Sequence, residues 1–214
     1  MSSSTRVRAR RVLPAGCAAL VLVLGMASSG SLRAETPVEA ARASVDTAQR
    51  RARALLARPP GEARDRELDA LFESFLDFEA LADGVLGFAL EERTPAERSE
   101  FRELLHALLR RSYRQNLVRT LRYDVRVVAA EAEGDTVVVH TVARARHGRS
   151  ARPIAIDYAL HEVGGAYRVF DVTTDGLSLV QSYRTQVNRI LAREGFAALL
   201  ARMQAKLDEG ERAP

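Results

Sequence analysis

The sequence predicts an α+β fold in which N-terminal helices precede a curved four-stranded antiparallel sheet and C-terminal helices close over it. Apolar residues recur at helical spacing in the first part of the chain, alternate with polar residues between Tyr123 and Thr173, and return to helical spacing from Leu179. The predicted strands follow one another with short connections, which favours antiparallel pairing. Helices over a curved sheet often enclose a deep pocket, so we expect an apolar pocket between them.

Residues 1–34 have the three-part pattern of a secretory signal peptide. Four arginines between positions 6 and 11 precede an apolar run from Val12 to Ala27, and a cleavage point follows Ala34. The run is shorter than the ~20 residues of a spanning helix, although an uncleaved N-terminal anchor is the alternative. We therefore predict export to a bacterial periplasm and a single domain over residues 35–214.

Removal of that segment changes the charge and the cysteine content of the chain. The 214 residues hold 32 basic and 28 acidic side chains, and the segment contains five arginines and no acid, which leaves 27 basic and 28 acidic. This balance argues against a general nucleic-acid-binding surface. Cys17 is the only cysteine and leaves with the signal, so we expect neither a disulfide nor a thiolate metal site.

Three helices are predicted before residue 88. The segment Thr36–Glu39 (TPVE) is a capping box with proline in the first turn, and its helix runs to about Arg58, before two prolines and a glycine. The next helix places four apolar side chains on one face: Leu68, Leu71, Phe72 and Phe75. Asp77 is a cap for a short third helix that ends at Gly87.

The segment Thr94–Glu97 (TPAE) repeats the start signal and opens a strongly amphipathic helix. Its apolar stripe consists of Phe101, Leu104, Leu105, Leu108 and Leu109. Four strands follow, beginning at Tyr123, Thr136, Pro153 and Tyr167. Turns are predicted at Glu133–Asp135 and Gly164–Gly165, and an exposed basic loop at residues 144–152.

The last two helices are separated by Gly195. The first has an apolar stripe of Leu179, Val180, Tyr183, Val187, Ile190 and Leu191, and the second runs from Phe196 to Leu207. Ser178 precedes the stripe and is best interpreted as its N-cap. It is flanked by Gly176 and Val180, so the G-x-S-x-G pattern of a nucleophile elbow is incomplete.

The sequence gives little support for a metal site or a cofactor site. None of the histidines has the spacing of a helical ligand pair, and no phosphate-binding glycine loop occurs. The four histidines are His106, His140, His147 and His161. We predict no metal and no cofactor, with His106 in packing and His147 in a solvated loop.

Three carboxylates on predicted strands leave an enzymatic alternative open. Asp124, Asp157 or Asp171 could act as a general base if one faced an apolar pocket. The competing interpretation is that they face solvent or pair with nearby arginines such as Arg122, Arg126 or Arg168. Asp171 lies between two apolar residues and is the least certain of the three.

Four segments carry a resemblance to a known family. Tyr167–Gln186 (YRVFDVTTDGLSLVQSYRTQ) resembles the strand and helix start typical of the MlaC family, periplasmic auxiliary proteins also named for toluene tolerance. Weaker matches are Phe78–Gly87 (FEALADGVLG), Thr94–Phe101 (TPAERSEF) and Pro153–Tyr158 (PIAIDY), in the same order as in the family. The resemblance extends from about residue 38 to residue 207.

The resemblance implies a non-enzymatic carrier of phospholipid. Such a protein moves lipid between an outer-membrane lipoprotein complex and an inner-membrane ABC transporter complex, and supports the lipid asymmetry of the outer membrane. A monomer suits this role. The direction of transport is not readable from residues. Three alternatives stay open: a carrier of a hopanoid or another apolar lipid, an enzyme that uses a strand Asp with His140 or His161 as acid and base, and an interaction module whose apolar groove binds a peptide or a membrane surface.

The predicted pocket lining consists of the apolar residues on the inner faces of the predicted elements. These are Phe75, Phe78, Leu81, Val85, Leu105, Leu109, Val125, Val127, Val139, Ile156, Tyr158, Val169, Leu179 and Tyr183. Each of them has a plain core position as its alternative. Arg184 is the predicted contact for the headgroup phosphate, since guanidinium suits phosphate oxygens, and an ion pair with Asp171 or Asp175 is its alternative.

Overall fold

The computed structural model describes residues 36–120, 122–146 and 152–212. Its helices are α1 (Pro37–Leu56), α2 (Glu62–Phe75), α3 (Phe78–Leu86), α4 (Pro95–Thr120), α5 (Leu179–Glu194) and α6 (Phe196–Arg212), with a short 3-10 turn at Gly87–Leu90. The strands are β1 (Tyr123–Glu133), β2 (Thr136–Ala145), β3 (Ile154–Val163), β4 (Ala166–Thr174) and β5 (Leu177–Ser178). The mixed helix and antiparallel-sheet fold is confirmed.

The helix starts form as the sequence predicts. The Thr36 hydroxyl accepts from the Glu39 backbone N–H at 3.2 Å, and the Glu39 carboxylate accepts from the Thr36 backbone N–H at 3.0 Å. Thr94 and Glu97 repeat the arrangement at α4, where Glu97 accepts from the Thr94 backbone N–H at 2.8 Å. Each box satisfies donors that the first helical turn leaves without partners. Asp77 caps α3 by accepting from the Ala80 N–H at 3.0 Å.

The sheet is an antiparallel meander in the order β1-β2-β3-β4-β5. Gly164 and Gly165 have φ of 60° and 83°, the left-handed conformation that a two-residue hairpin with this twist requires. Val128 is an extra residue in β1, and Phe170 is an extra residue in β4. Such bulges increase local twist and bend the sheet around what lies against it.

One buried core joins the inner face of the sheet to the helices. Val139, Leu160 and Val169 project from adjacent strands and are fully buried, as are Val85 of α3 and Phe101 of α4. A smaller cluster fastens the end of α1 to α2 through Leu55, Leu56, Leu68 and Leu71. Helices α1, α2 and α4 also line the cavities described below.

The structure differs from the sequence prediction in three details. The sheet has a fifth strand, β5, whose two residues pair with Thr173 and Thr174. A segment this short shows no periodicity, and Ser178 also caps α5, so the helix start masked it. The second strand continues to Ala145, into the predicted loop, and α1 ends at Leu56.

Two predictions lie partly or wholly outside the described residues. The signal segment 1–34 is outside them, so the domain boundary after Ala34 stays a prediction. Of the predicted basic loop, residues 147–151 are outside them, including His147. Within the described ranges, no helix combines the length and hydropathy needed to cross a membrane.

Candidate functional site

Two apolar cavities lie between the helices and the inner face of the sheet. The first, here the α4 cavity, has a volume of about 580 Å³ and is lined by α2, α3, α4, α5 and strands β3 to β5. The second, here the α1 cavity, has a volume of about 200 Å³ and is lined by α1, α2, α4 and strands β1 and β3. Pockets of ~300–1,000 Å³ with mostly apolar walls are typical for small-molecule ligands.

Four aromatic side chains line both cavities and form the boundary between them: Phe72, Phe75, Tyr113 and Tyr158. We call them the aromatic wall. Phe72 stacks on Tyr113 with ring centroids 4.2 Å apart, and Phe75 meets Tyr158 edge-on at 5.9 Å. Phe72 and Phe75 are three residues apart on α2 and therefore share one helix face.

Burial raises the pKa of three phenols that line the cavities. Burial raises the pKa of Tyr113 to about 12, with the Asp69 carboxylate adding to the effect. Burial also raises the pKa of Tyr158 and of Tyr183. An apolar surrounding disfavours the charged phenolate, so these side chains contribute neutral hydroxyls at physiological pH.

The polar groups of the α1 cavity come from α1 and from the open end of the β1–β2 pair. Gln49, Arg53, Tyr123 and Arg146 contribute to its lining. Gln49 lies beside Tyr158, where it partly offsets the effect of burial on the phenol pKa. Its buried Nε2 nevertheless lacks a partner in hydrogen-bond geometry.

A third depression, here the α1 groove, is lined by α1, α2 and the β3–β4 hairpin. It has a volume of about 580 Å³ and includes Ser44, Arg51, Glu162 and Tyr167. Ser44 Oγ donates to the Tyr167 carbonyl at 2.9 Å, which joins the helix to the hairpin below the groove. Arg51 and Glu162 add charge to its lining, which makes it less favourable for a hydrocarbon tail than the two apolar cavities.

The structure divides the fourteen predicted lining residues into two groups. Eight line the apolar cavities: Phe75, Leu81, Leu109, Val125, Ile156, Tyr158, Leu179 and Tyr183. Six pack in the hydrophobic core and line none of the three depressions described above: Phe78, Val85, Leu105, Val127, Val139 and Val169. Contact of any of them with a ligand stays a prediction.

Arg184 lies against the C-terminal end of α3. Its Nε donates to the Gly84 carbonyl at 2.7 Å, and Nη2 donates to the same oxygen. A Cβ at Gly87 would approach Nε to 3.2 Å, so glycine at this position leaves room for the guanidinium. Among the described residues Arg184 forms no ion pair with Asp171 or Asp175. Its predicted contact with a headgroup phosphate stays a prediction.

The candidate general bases have structural partners and line none of the three depressions. Asp171 accepts from Ser178 Oγ at 2.5 Å and from the Val180 N–H at 3.1 Å, which ties β4 to the start of α5. Asp124 pairs with two arginines, one of them the expected Arg126.

The histidines of the described residues all pair with carboxylates. His140 contacts Asp157 at 2.9 Å, where an arginine was the expected partner. His161 contacts Asp77 at 2.7 Å. His106 contacts Glu73 at 2.6 Å. No group of three or more potential metal ligands lies together within the described part of the chain.

The sequence prediction missed the residues of α1 that line the α1 cavity. Ala48 and Ala52 line the α1 cavity, and Gln49 and Arg53 are the polar residues next to them. Residues four apart share one helix face, but this spacing does not reveal which neighbour the face meets. Tyr113 was missed because it lies beyond the leucine stripe of α4.

Comparison with known proteins gives one family and one fold. A family model described as MlaC protein matches residues 43–205. A solved structure, the phospholipid-binding protein from Ralstonia solanacearum in complex with a phospholipid, superposes with a TM-score of 0.66 at 20% sequence identity. The match covers 79% of this chain and 97% of that chain. No curated protein sequence matches this chain significantly.

Proposed function

This chain belongs to the MlaC protein family, and on that premise we propose that it is a non-enzymatic phospholipid carrier of the periplasm. It binds the acyl chains in its apolar cavities. It shuttles the lipid between an outer-membrane lipoprotein complex and an inner-membrane ABC transporter complex. A monomer is sufficient for this role, and no metal or cofactor takes part in it.

The observation that carries the proposal is the pair of apolar cavities that meet at the aromatic wall. The α4 cavity alone, at about 580 Å³, has the size of an ordinary ligand site. The similar solved structure from Ralstonia solanacearum contains a phospholipid, which supports the same class of ligand here.

The energetic need for such a cavity follows from the cost of hydrating hydrocarbon. Each methylene moved from water to an apolar site is worth ~0.8 kcal/mol, so the roughly thirty methylenes of two acyl chains resist transfer through water by ~20 kcal/mol. A carrier lowers this barrier by enclosing apolar surface. It makes and breaks no covalent bond, so side chains with matched pKa values for acid–base work are not required.

Lipid analysis of the exported protein tests the binding. The full chain is produced with its own N-terminal segment, recovered from the periplasm of a Gram-negative host, and extracted for mass spectrometry. We expect close to one phospholipid per chain. Protein that is folded but free of lipid contradicts the proposal.

A matched pair of variants on α1 assigns the lipid to the cavities. Ala52 lines the α1 cavity, whereas Ala54 is exposed on the same helix. Ala52→Trp fills the cavity and should sharply lower the recovered lipid. Ala54→Trp makes the same change at the surface and should leave it unchanged. Equal lipid in both variants contradicts binding in the α1 cavity.

Transfer between membranes tests the shuttle itself. The lipid-loaded protein is incubated with acceptor vesicles after removal of the donor vesicles, and labelled phosphatidylglycerol is measured in the acceptor. We expect the label to move with the protein. Binding without release to the acceptor contradicts a role as a carrier.

A further inference from the structure

The mouth of the α1 cavity combines an apolar interior with two guanidinium groups. Arg53 lies in the last turn of α1, and Arg146 follows β2. Both line the cavity together with Tyr123. Behind them the walls are alanine, leucine, valine, isoleucine and aromatic side chains. Such an arrangement matches a molecule with an apolar body and an anionic end.

The guanidinium groups at this mouth are only partly neutralised. Arg53 Nη1 pairs with the Asp124 carboxylate at 2.8 Å, and Arg126 Nε pairs with the same carboxylate at 2.9 Å. One acidic side chain is therefore shared by two arginines. Arg146 is exposed and takes part in none of the ion pairs among the described residues. The mouth has an excess of positive charge, although the chain without residues 1–34 is close to neutral.

Gln49 supplies a second and independent sign of a ligand. Its Nε2 is buried and, although the side chain lies beside the Tyr158 phenol, it meets no partner in hydrogen-bond geometry. A buried donor without a partner is costly, and native proteins satisfy nearly all such groups. Gln49 is four residues before Arg53 on α1, so both side chains lie on one helix face. The spacing places Gln49 about 6 Å from Arg53 along the helix axis, towards the N-terminus of α1.

We propose that this face of α1 orients the lipid, with the headgroup phosphate held by Arg53 and Arg146 and an ester carbonyl of the glycerol accepting from Gln49 Nε2. The order along α1 follows the order within a phospholipid, from phosphate to ester to hydrocarbon. Guanidinium donors match phosphate oxygens in geometry and charge. The inference rests on the proposed lipid-binding function and replaces Arg184 as the phosphate contact.

Arg146→Ala is the decisive variant because Arg146 is exposed and takes part in no ion pair within the part of the chain that the structure describes. The matched control is Arg42→Ala, an exposed arginine on α1 about 16 Å from Arg53 along the helix. Binding to delipidated protein is measured by calorimetry with two probes of the same chain length, lauroyl lysophosphatidylglycerol and monolauroylglycerol, which lacks the phosphate.

We expect Arg146→Ala to weaken binding of the phosphate probe about tenfold, since it removes a charge-assisted hydrogen bond. Binding of the neutral probe should be unchanged. Arg42→Ala should change neither. If Arg146→Ala weakens binding of both probes equally, or of neither, the proposed orientation of the lipid is overturned, while the proposal of lipid binding is not affected. If neither probe binds the wild-type protein, the proposed function fails and this inference fails with it.

Glycerophosphate separates a lipid headgroup from a free phosphate ester. If it binds the wild-type protein as tightly as the lysolipid and is lost in Arg146→Ala, the mouth is a site for free phosphate esters and the proposal is overturned. We expect no measurable binding, because glycerophosphate has no hydrocarbon to bury.

The Gln49 contact has its own test. Gln49→Leu removes a buried donor and should not disturb folding. The wild-type protein should prefer the ester-linked lysolipid to its ether-linked analogue, which lacks the carbonyl, and Gln49→Leu should bind both equally. A preference that persists in Gln49→Leu overturns the assignment of the carbonyl to Gln49.

Discussion

Phe75 and Tyr158 meet edge-on with ring centroids 5.9 Å apart, and both rings line the α1 cavity and the α4 cavity. One ring comes from the end of α2 and the other from the inner face of β3. Because both rings line both cavities, we expect loss of either ring to join them and to enlarge the volume available to a ligand.

Phe75→Ala should merge the two cavities. We expect a shift in the recovered lipid toward longer acyl chains, because the aromatic wall no longer limits the depth of the α4 cavity. Loss of the ring should also lower the free energy of unfolding by about 3 kcal/mol, the lower end for phenylalanine to alanine, since Phe75 is only half-buried. Mass spectrometry of bound lipid and urea denaturation measure the two effects.

The control for that experiment is Phe88→Ala. Phe88 is 94% exposed and lies in the turn after α3, away from the aromatic wall. It should change neither chain length nor stability by more than about 0.5 kcal/mol. An unchanged lipid profile in Phe75→Ala contradicts a limiting role for the wall.

Arg184→Ala should destabilise the fold without changing the preference for phosphate. The guanidinium donates twice to the Gly84 carbonyl and fastens α5 to the end of α3. Its loss should cost about 2 kcal/mol, as expected for hydrogen bonds to a charged group. Urea denaturation measures the cost, and the two lauroyl probes measure the preference.

Arg189→Ala makes the same change at an exposed position of α5 and should be nearly neutral. If the Arg184→Ala protein is folded and loses binding of the phosphate probe alone, the structural role is contradicted and Arg184 is again the expected headgroup contact.

The sequence predicts the elements better than the cavities, and the reason is physical. Capping at Thr36 and Thr94 and the glycine pair at 164 and 165 depend on neighbours in the chain, so local patterns are sufficient. Whether Val139 or Tyr158 faces an empty space depends on helices far away in sequence. Both project from the inner face of the sheet, where they are paired neighbours, yet only Tyr158 reaches a cavity.

The hydrogen-bond partner of Arg184 could not be predicted from the sequence for a similar reason. Arg184 fits a phosphate contact by chemistry, but the approach of α3 to α5 gives its donors a carbonyl partner that no local pattern reveals. The helix α1 was predicted well as a helix, and its small residues gave no sign of which neighbour they would face. The α1 contribution to the cavity therefore required the tertiary structure.

Asp171→Asn separates a structural carboxylate from a general base. Asp171 accepts from Ser178 Oγ and from the backbone N–H groups of Val172 and Val180. Asparagine keeps one acceptor oxygen and loses the charge, so we expect a loss of about 1 kcal/mol in unfolding free energy, comparable to a weakened helix cap. Lipid binding should persist. Calorimetry with the lauroyl probes and urea denaturation measure both quantities.

An enzyme that uses Asp171 as its base should hydrolyse or transform a bound lipid and lose that activity in the variant. Incubation of the wild-type protein with labelled phosphatidylglycerol, followed by chromatography, should show no product. A product that disappears in Asp171→Asn contradicts the non-enzymatic carrier.

The stability of the sheet should depend on pH through His140. Its hydrogen bonds to Asp157 at 2.9 Å and to Glu131 at 3.0 Å raise the pKa of the imidazole above its usual value near 6.5. A folded-state pKa above the unfolded value means that the charged pairing stabilises the protein fully below pH ~6.5, and that this contribution is lost as pH rises through the raised pKa. Urea denaturation from pH 6 to pH 9 should therefore show a decrease in the free energy of unfolding that His140→Gln removes.

Asp157→Asn removes the larger of the two causes of the raised pKa. It should reduce the decrease without abolishing it, because Glu131 remains. A wild-type protein whose stability rises across this range, or the same pH dependence in wild type and His140→Gln, contradicts the assignment.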